Sequence, residues 1–470
     1  MTLTPSQQKF FTPGSTIYHA SAPGRLDVMG GIGDYSGSLV LQMPIQERTH
    51  VWLALRDDHI LRAHSHQAQQ PGLQDTVEFD LNRLPAHGAL EYSSFHQALT
   101  ENPAHSWAAY IFGCLLCLML EKKIPPTGVD FWVESDIPFG KGVSSSAALE
   151  VAAMTALCAA LELELSDNEL PILAQKVENL IVGAPCGLMD QLATYHGKQN
   201  QLLPILCRPD RIFPTIEIPE PLHFIGVDSG VRHSVGGSSY TGVRTAAFMG
   251  YTIIASRLGI SRETITRAKQ TPNRDLLPYH GYLTEISPSA LEALFLDSLP
   301  EQITGAEFIE QYGTTIDPIT SPKPDTIYPV RVCTSYPIYE NHRVHQFQLI
   351  LRLLGSSPVS PSLLDQCCHQ LGELMYQAHV GYSRCGLGST GTDHLVTRAW
   401  EHGESQAIFG AKITGGGSGG TVCFLCRGEQ GKQSVHQIAA EYSASTGTGI
   451  KIFDGSSDGA RWTEVEKIPY

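Results

Sequence analysis

Residues 138–149, Pro-Phe-Gly-Lys-Gly-Val-Ser-Ser-Ser-Ala-Ala-Leu, decide how the rest of the chain is read. They follow Val129-Asp130-Phe131-Trp132-Val133, which has the composition of a strand. They open an Ala/Leu-rich segment, 144–164, where Ala148, Val151, Ala152, Leu157 and Leu161 roughly keep helical spacing. A glycine-rich turn feeding a serine-capped helix aims unpaired backbone N–H groups and the positive helix end at one point, and that arrangement suits a phosphate. The pattern is not the P-loop form GxxxxGK[ST], so nucleotide binding needs support from elsewhere. A capped strand–turn–helix without a ligand is the plain alternative.

Outward from that turn, composition sets the bounds. The 470 residues suffice for a large core and suggest two or three domains. A hydrophobic content of 42% with 17% charged residues fits a globular chain rather than a disordered one. The formal charge of −15 argues against wrapping nucleic acid or sitting on an anionic membrane. An anionic ligand must therefore be held by local N–H groups, a few basic residues or a metal. The N-terminus, MTLTPSQQKFF, lacks a signal-peptide pattern, and the longest apolar run, Ala108 to Leu120, is too short to span a bilayer. Eleven cysteines spread along the chain do not form a disulfide framework. The CxxC pairs Cys114/Cys117 and Cys423/Cys426 sit inside apolar runs and read as core. These features predict a reduced cytoplasmic protein.

Residues 16–56 read as strands around a glycine-rich turn, and 107–122 and 168–182 as helices, the latter delivering Gly183-Ala184-Pro185-Cys186-Gly187. Four prolines in RPDRIFPTIEIPEP suggest a boundary near 205–220. Beyond it come a strand-like HFIGVDSGV, helices near 241–258 and 361–381, and strand-like GAKITG, GGTVCFLC and GIKIFDG. Residues 268–328 are rich in Pro and turn residues and read as an insertion.

Phosphoryl transfer needs a phosphate cradle, charge neutralisation, and a group that orients or deprotonates the acceptor. Gly140 through Ser146 supply a candidate cradle. Asp190 follows the apolar, glycine-bearing Cys186-Gly187-Leu188-Met189, where a carboxylate needs work or a partner. Taken singly, Asp190 reads as a helix cap, and Glu178 and Arg25 as solvated surface residues. Their order along one chain carries more weight.

That order resembles the signature of the GHMP kinase superfamily, in particular its galactokinase branch. Ala22-Pro23-Gly24-Arg25 with Asp34-Tyr35 is similar to the first motif, residues 138–149 to the second, and Thr414-Gly415-Gly416-Gly417-Ser418-Gly419-Gly420 to the third. Cys186-Gly187-Leu188-Met189-Asp190-Gln191 and Trp107-Ala108-Ala109-Tyr110 resemble the galactokinase branch. Residues 24–37, Val231-Arg232-His233-Ser234-Val235-Gly236-Gly237, Pro337-Ile338-Tyr339-Glu340-Asn341 and Cys385-Gly386-Leu387-Gly388-Ser389 resemble the L-arabinokinase group within it. Plant-type members of that group carry an extra N-terminal glycosyltransferase-like region. The expectation for 470 residues is a likeness to the kinase portion only.

The resemblance implies an α+β fold. Residues 1–214 would form a ribosomal-protein-S5-domain-2-like N-terminal domain with a left-handed βαβ crossover. Residues 215–470 would form a ferredoxin-like C-terminal domain, with 268–328 inserted, and nucleotide and sugar would meet in the cleft. It implies ATP and Mg²⁺. Asp190 would orient or deprotonate an anomeric hydroxyl, and Arg25 would stabilise the transferring phosphoryl group and hold Asp190 ionised. Gly140, Lys141, Gly142, Val143, Ser144, Ser145 and Ser146 would wrap the phosphates, with Trp107 near the nucleotide. Ser146 and Glu178 would hold Mg²⁺. Asp34, Gly31, Ile32, Gly187 and Tyr240 would line the sugar pocket, Tyr240 on a spacing to Arg244 that departs from galactokinases.

Galactokinases carry a Glu-His pair where this chain has Gly31 and Ile32, and the pair serves the exocyclic hydroxymethyl end of the hexose. L-Arabinose shares ring carbons 2–4 with D-galactose and lacks that arm. An apolar wall would leave the extra hydroxyl unpaired, at roughly 1–3 kcal/mol. The expected reaction is ATP-dependent 1-phosphorylation of L-arabinose by a monomer or small homo-oligomer. The competing readings are a galactokinase, a uronic-acid 1-kinase, and a non-catalytic sugar sensor. A dinucleotide site at 415–420 is disfavoured, because a strand rather than a helix follows it.

Overall fold

The computed structural model describes residues 3–66, 72–84, 90–208, 210–231, 238–271, 274–356 and 358–470. The strand before the quoted turn, Gly128–Ser135, lies inside a nine-stranded sheet. Along the main path the order is Glu466–Pro469, Thr16–Met29, Leu39–Arg56, Gly128–Ser135, Ile60–Ser65 and Thr76–Asp80, with Gln201–Cys207 also paired to Leu39–Arg56. Ile60–Ser65 runs parallel to Gly128–Ser135, and the other pairings are antiparallel. Helices Ala108–Glu121 and Ser145–Ala160 share one core with this sheet. Alanine at 147, 148, 152, 153, 156 and 160 keeps the second helix thin enough to be buried on nearly all sides.

A second, antiparallel sheet orders Ile408–Ile413, Thr421–Arg427, Leu222–Asp228 and Ile452–Phe453. Helices Pro361–Arg384, Thr390–His402 and Gly428–Thr446 pack against it. This mixture of helices and two sheets is an α+β fold. The last strand, Glu466–Pro469, pairs with the first strand of the chain, so the C-terminal end belongs to the first sheet.

The strand pieces expected in 16–56 merge into two long strands joined by the 3-10 turn Gly31–Ser36. A 27-residue helix, Val330–Ser356, continues through Pro337, where proline argues for a break. Its buried side chains include Glu340 and Asn341, which bond the backbone of the first sheet at Gly30 and Leu39. Residues 274–328 form short helices, turns and a two-residue ladder around a core shared with helix Ser238–Arg257. That segment backs the Gly31–Ser36 turn, since Thr284 donates to the Ser36 carbonyl at 2.9 Å. Cys114, Cys117, Cys423 and Cys426 are buried free thiols in the cores. Among the described residues no helix is long and apolar enough to cross a membrane.

Candidate active site

The turn ahead of helix Ser145–Ala160 has positive φ at Gly140 (68°), Gly142 (71°) and Ser144 (58°). A non-glycine residue at Ser144 is strained there and must be held by its surroundings. Three successive carbonyls are tied down on the far side of the turn. Lys141 O accepts from Thr421 Oγ1 at 2.8 Å, Gly142 O from Arg25 Nη1 at 2.8 Å, and Val143 O from Arg25 N at 3.1 Å. With its carbonyls engaged, the turn presents N–H groups to the cavity, the arrangement of an anion nest. The glycine-rich loop at 414–420 fits closely behind it, because a Cβ on Gly415 would lie 2.8 Å from Gly142 O and one on Gly420 2.8 Å from Lys141 O.

One cavity is lined by Gly140, Gly142, Ser144, Ser145 and Ser146 together with Arg25, Asp190, Glu178, Asp34, Gly31, Ile32, Gly187 and Tyr240. Arg25 Nη2 stands 2.8 Å and Nε 3.0 Å from Asp190 Oδ1, and the arginine side chain is only 3% exposed. Asp190 sits in the first turn of helix Met189–His196. The next residue, Gln191, donates from Nε2 to Glu178 at 2.7 Å and to Glu150 at 3.2 Å. Burial, then the nearby Asp190 charge, pushes the Glu178 carboxyl up to about 7. Burial, then Glu178, raises the wholly enclosed Glu150 well above the carboxylate range. Arg25 is the one cation among the described lining residues.

On the opposite side, Asp34 accepts from the Tyr35 N–H at 2.7 Å. Burial is the largest effect on its carboxyl, raising it to about 7. A Cβ on residue 187 would lie 2.1 Å from Asp34 Oδ2, so glycine is required there for the carboxylate to face the cavity. Arg244, whose charge opposes the rise at Asp34, is held bidentate by Asp317 at 2.9 and 2.8 Å.

Two matches place this geometry. Residues 109–198 match GHMP kinases N terminal domain, and residues 7–55 match Galactokinase galactose-binding signature. The chain is 41% identical to an L-arabinokinase of Arabidopsis thaliana over 94% of its own length and 46% of that protein, so it spans about half of that relative. It is 28% identical to a galactokinase of Chloroflexus aggregans over 91% of this chain and 88% of that one. Over residues 109–198 the chain thus resembles the GHMP kinases. The fold agrees: Lactococcus lactis galactokinase complexed with galactose superposes with a TM-score of 0.69 at 18% identity, covering 97% of this chain and 95% of the other. A mevalonate kinase superposes at 0.53 and 15%, covering 94% and 99%.

Within this GHMP kinase fold the expected site residues divide into three groups. Asp190, Arg25, Asp34, Gly31, Ile32, Gly187, Tyr240, Glu178, Gly140, Gly142 and Ser144–Ser146 meet in the one cavity. Trp107 lies next door, in an apolar recess of about 260 Å³ with Leu73, Tyr110, Phe139 and Leu149. That recess shares Gly140, Ser145, Ser146 and Glu178 with the main cavity, and the Trp107 indole N–H is engaged by Gln74 O at 2.7 Å. Lys141 and Val143 turn away. The Lys141 ammonium lies 2.9 Å from buried Asp228, and the Val143 side chain enters the core. The Lys141 side chain thus pairs with Asp228, while its backbone stays in the turn. Residues 232–237 lie outside the described residues.

Sequence reasoning assigned no role to Glu150, Gln191, Asp317 or Tyr382. Glu150 and Gln191 carried a usable signal, each being a polar residue inside an apolar helical run. Asp317 and Tyr382 reach the site only through tertiary packing.

An oxygen-only pair, Ser146 and Glu178, which line the same cavity, fits a hard cation that keeps most of its water. Ser144 lines the cavity, and its buried hydroxyl has no partner among the described residues.

Proposed function

We propose that the chain is an ATP- and Mg²⁺-dependent sugar 1-kinase whose substrate is L-arabinose, giving L-arabinose 1-phosphate. The observation that carries this reading is the Arg25–Asp190 pair, facing the same cavity as the serine-capped turn and the Gly31–Ile32 wall. The apolar recess at Trp107 would take the base, and the N–H groups of 140–146 the phosphates. Ser146 and Glu178 would hold Mg²⁺, which when bound neutralises charge on the phosphate oxygens.

Asp190 holds the anomeric hydroxyl in line and receives or directs its proton as the oxygen bonds to the γ-phosphorus and the bond to the β-phosphate oxygen breaks. Arg25 contributes positive charge as negative charge spreads over the transferring group. Asp34 accepts from ring hydroxyls. Gly31 and the buried Ile32 present no polar side chain to an exocyclic arm, which favours a pentose. The greater identity to the L-arabinokinase than to the galactokinase supports the same choice. An ATP-using protein with eleven free thiols suits the cytoplasm.

The galactokinase reading has in its favour the signature match over residues 7–55 and the likeness to the Chloroflexus aggregans galactokinase. NMR identification of the product, with L-arabinose and D-galactose offered at equal concentration, tests the choice. Preferential formation of L-arabinose 1-phosphate is expected, and faster use of galactose would overturn the substrate while leaving the kinase.

A further inference from the structure

The backbone donors of residues 30–33 are already spent on protein. Gly30 N–H goes to Glu340 Oε1 at 3.1 Å, and Gly31 N–H to Asp27 Oδ1 at 3.0 Å. Ile32 N–H goes to the Tyr382 hydroxyl at 3.1 Å, and Gly33 N–H to Gly30 O at 2.9 Å. Tyr382 lies on helix Pro361–Arg384 with no exposed surface, and its hydroxyl donates in turn to Gly415 O at 2.7 Å. One phenol thus joins the sugar-side wall to the glycine loop behind the phosphate turn, since Ile32 and Gly415 both line the cavity.

The same hydroxyl closes position 31. A Cβ there would lie 1.6 Å from Tyr382 Oη and 2.7 Å from Cζ, so no side chain can grow from residue 31 while Tyr382 keeps its place. Ile32 offers only carbon.

We infer that Tyr382 is a positioning residue that sets sugar selectivity: it consumes the Ile32 N–H and excludes a side chain at Gly31, leaving a wall without a donor for an exocyclic hydroxyl. This rests on the sugar-kinase reading above and adds the residue that enforces the preference. A hexose hydroxyl against that wall loses its water and finds no partner.

A trio of sugars with the same ring stereochemistry tests it on the wild-type protein: L-arabinose with no exocyclic carbon, D-fucose with a methyl group, and D-galactose with a hydroxymethyl group. The order expected in kcat/KM is L-arabinose, then D-fucose, then D-galactose. In Tyr382→Phe, the freed Ile32 N–H should raise the galactose-to-fucose ratio about five- to tenfold. Tyr336→Phe is the packing control. Its ring meets Tyr382 edge-on at 5.5 Å and its hydroxyl has no partner among the described residues, so the ratio should stay at the wild-type value whatever happens to stability.

Galactose used as well as or better than fucose by wild type, with arabinose still preferred, overturns the donor-free wall and leaves the sugar assignment intact. A preference for galactose over arabinose removes the sugar assignment itself. If Tyr382→Phe does not fold, the fucose-to-galactose order in wild type decides. If it folds and the ratio is unmoved, Tyr382 does not set selectivity.

Discussion

Two glycine-rich turns face each other across the cavity, and they are wired in opposite senses. At 140–146 the carbonyls of Lys141, Gly142 and Val143 are bound by Thr421 and Arg25, so the N–H groups face the ligand space. At 30–33 the N–H groups are bound by Glu340, Asp27, Tyr382 and Gly30 O, so what faces the ligand space is carbon and one carboxylate, Asp34. The glycines permit both backbones. The partners, Thr421, Glu340 and Tyr382 among them from the second half of the chain, decide which backbone groups each turn has left to offer.

The contrast breaks first at the pair between the turns. Asp190→Asn should lower kcat by about a thousandfold while sugar binding persists, because Arg25 and the cradle remain. Steady-state kinetics beside calorimetric sugar titration checks this. Next comes the sugar side: Gly187→Ala puts a methyl 2.1 Å from Asp34 Oδ2, and the displaced carboxylate should cost about a hundredfold in sugar kcat/KM with the ATP KM nearly unchanged.

Acidity gives a gentler probe of the same wall. With Asp34 at about 7, sugar kcat/KM should rise about tenfold between pH 6 and pH 8, and Asp34→Asn should flatten that rise to whatever Glu178, also near 7, contributes. The sign for stability is opposite. The folded state holds a proton that the unfolded chain releases near 3.8, so the stabilisation is full below that pH and is lost as pH rises through about 7. Thermal melts of wild type against Asp34→Asn across that window read it.

The smallest catalytic effect belongs to Lys141. Lys141→Met should leave the ATP KM within about twofold, because the ammonium serves Asp228 rather than the cavity, yet it should remove about 2 kcal/mol of stability by leaving that buried carboxylate unpaired. A large rise in ATP KM would return the side chain to the phosphates.

Much of this was legible from local spelling. The 138–149 stretch announced a strand–turn–helix because glycine, serine and alanine act on their own backbone, and Gly31, Ile32, Asp34, Gly187 and Asp190 were readable through the family likeness. The helix through Pro337 was not, since its buried Glu340 and Asn341 bond strands some 300 residues earlier in the chain. Nor was the fate of Lys141, whose neighbours in sequence suggest phosphate while its neighbour in space is a carboxylate. Asp317 hid in a segment that reads as a turn-rich insertion and emerged as the anchor of Arg244 behind Asp34. Local conformation follows local residues, but partnerships between distant side chains need the packed chain.

The most direct test of the account is sugar-dependent release of ADP from ATP, measured for wild type and Asp190→Asn with L-arabinose. Turnover by wild type is expected to require the sugar, with near-complete loss in the variant despite retained sugar binding. ATP consumption indifferent to sugar, or a variant as fast as wild type, would contradict it.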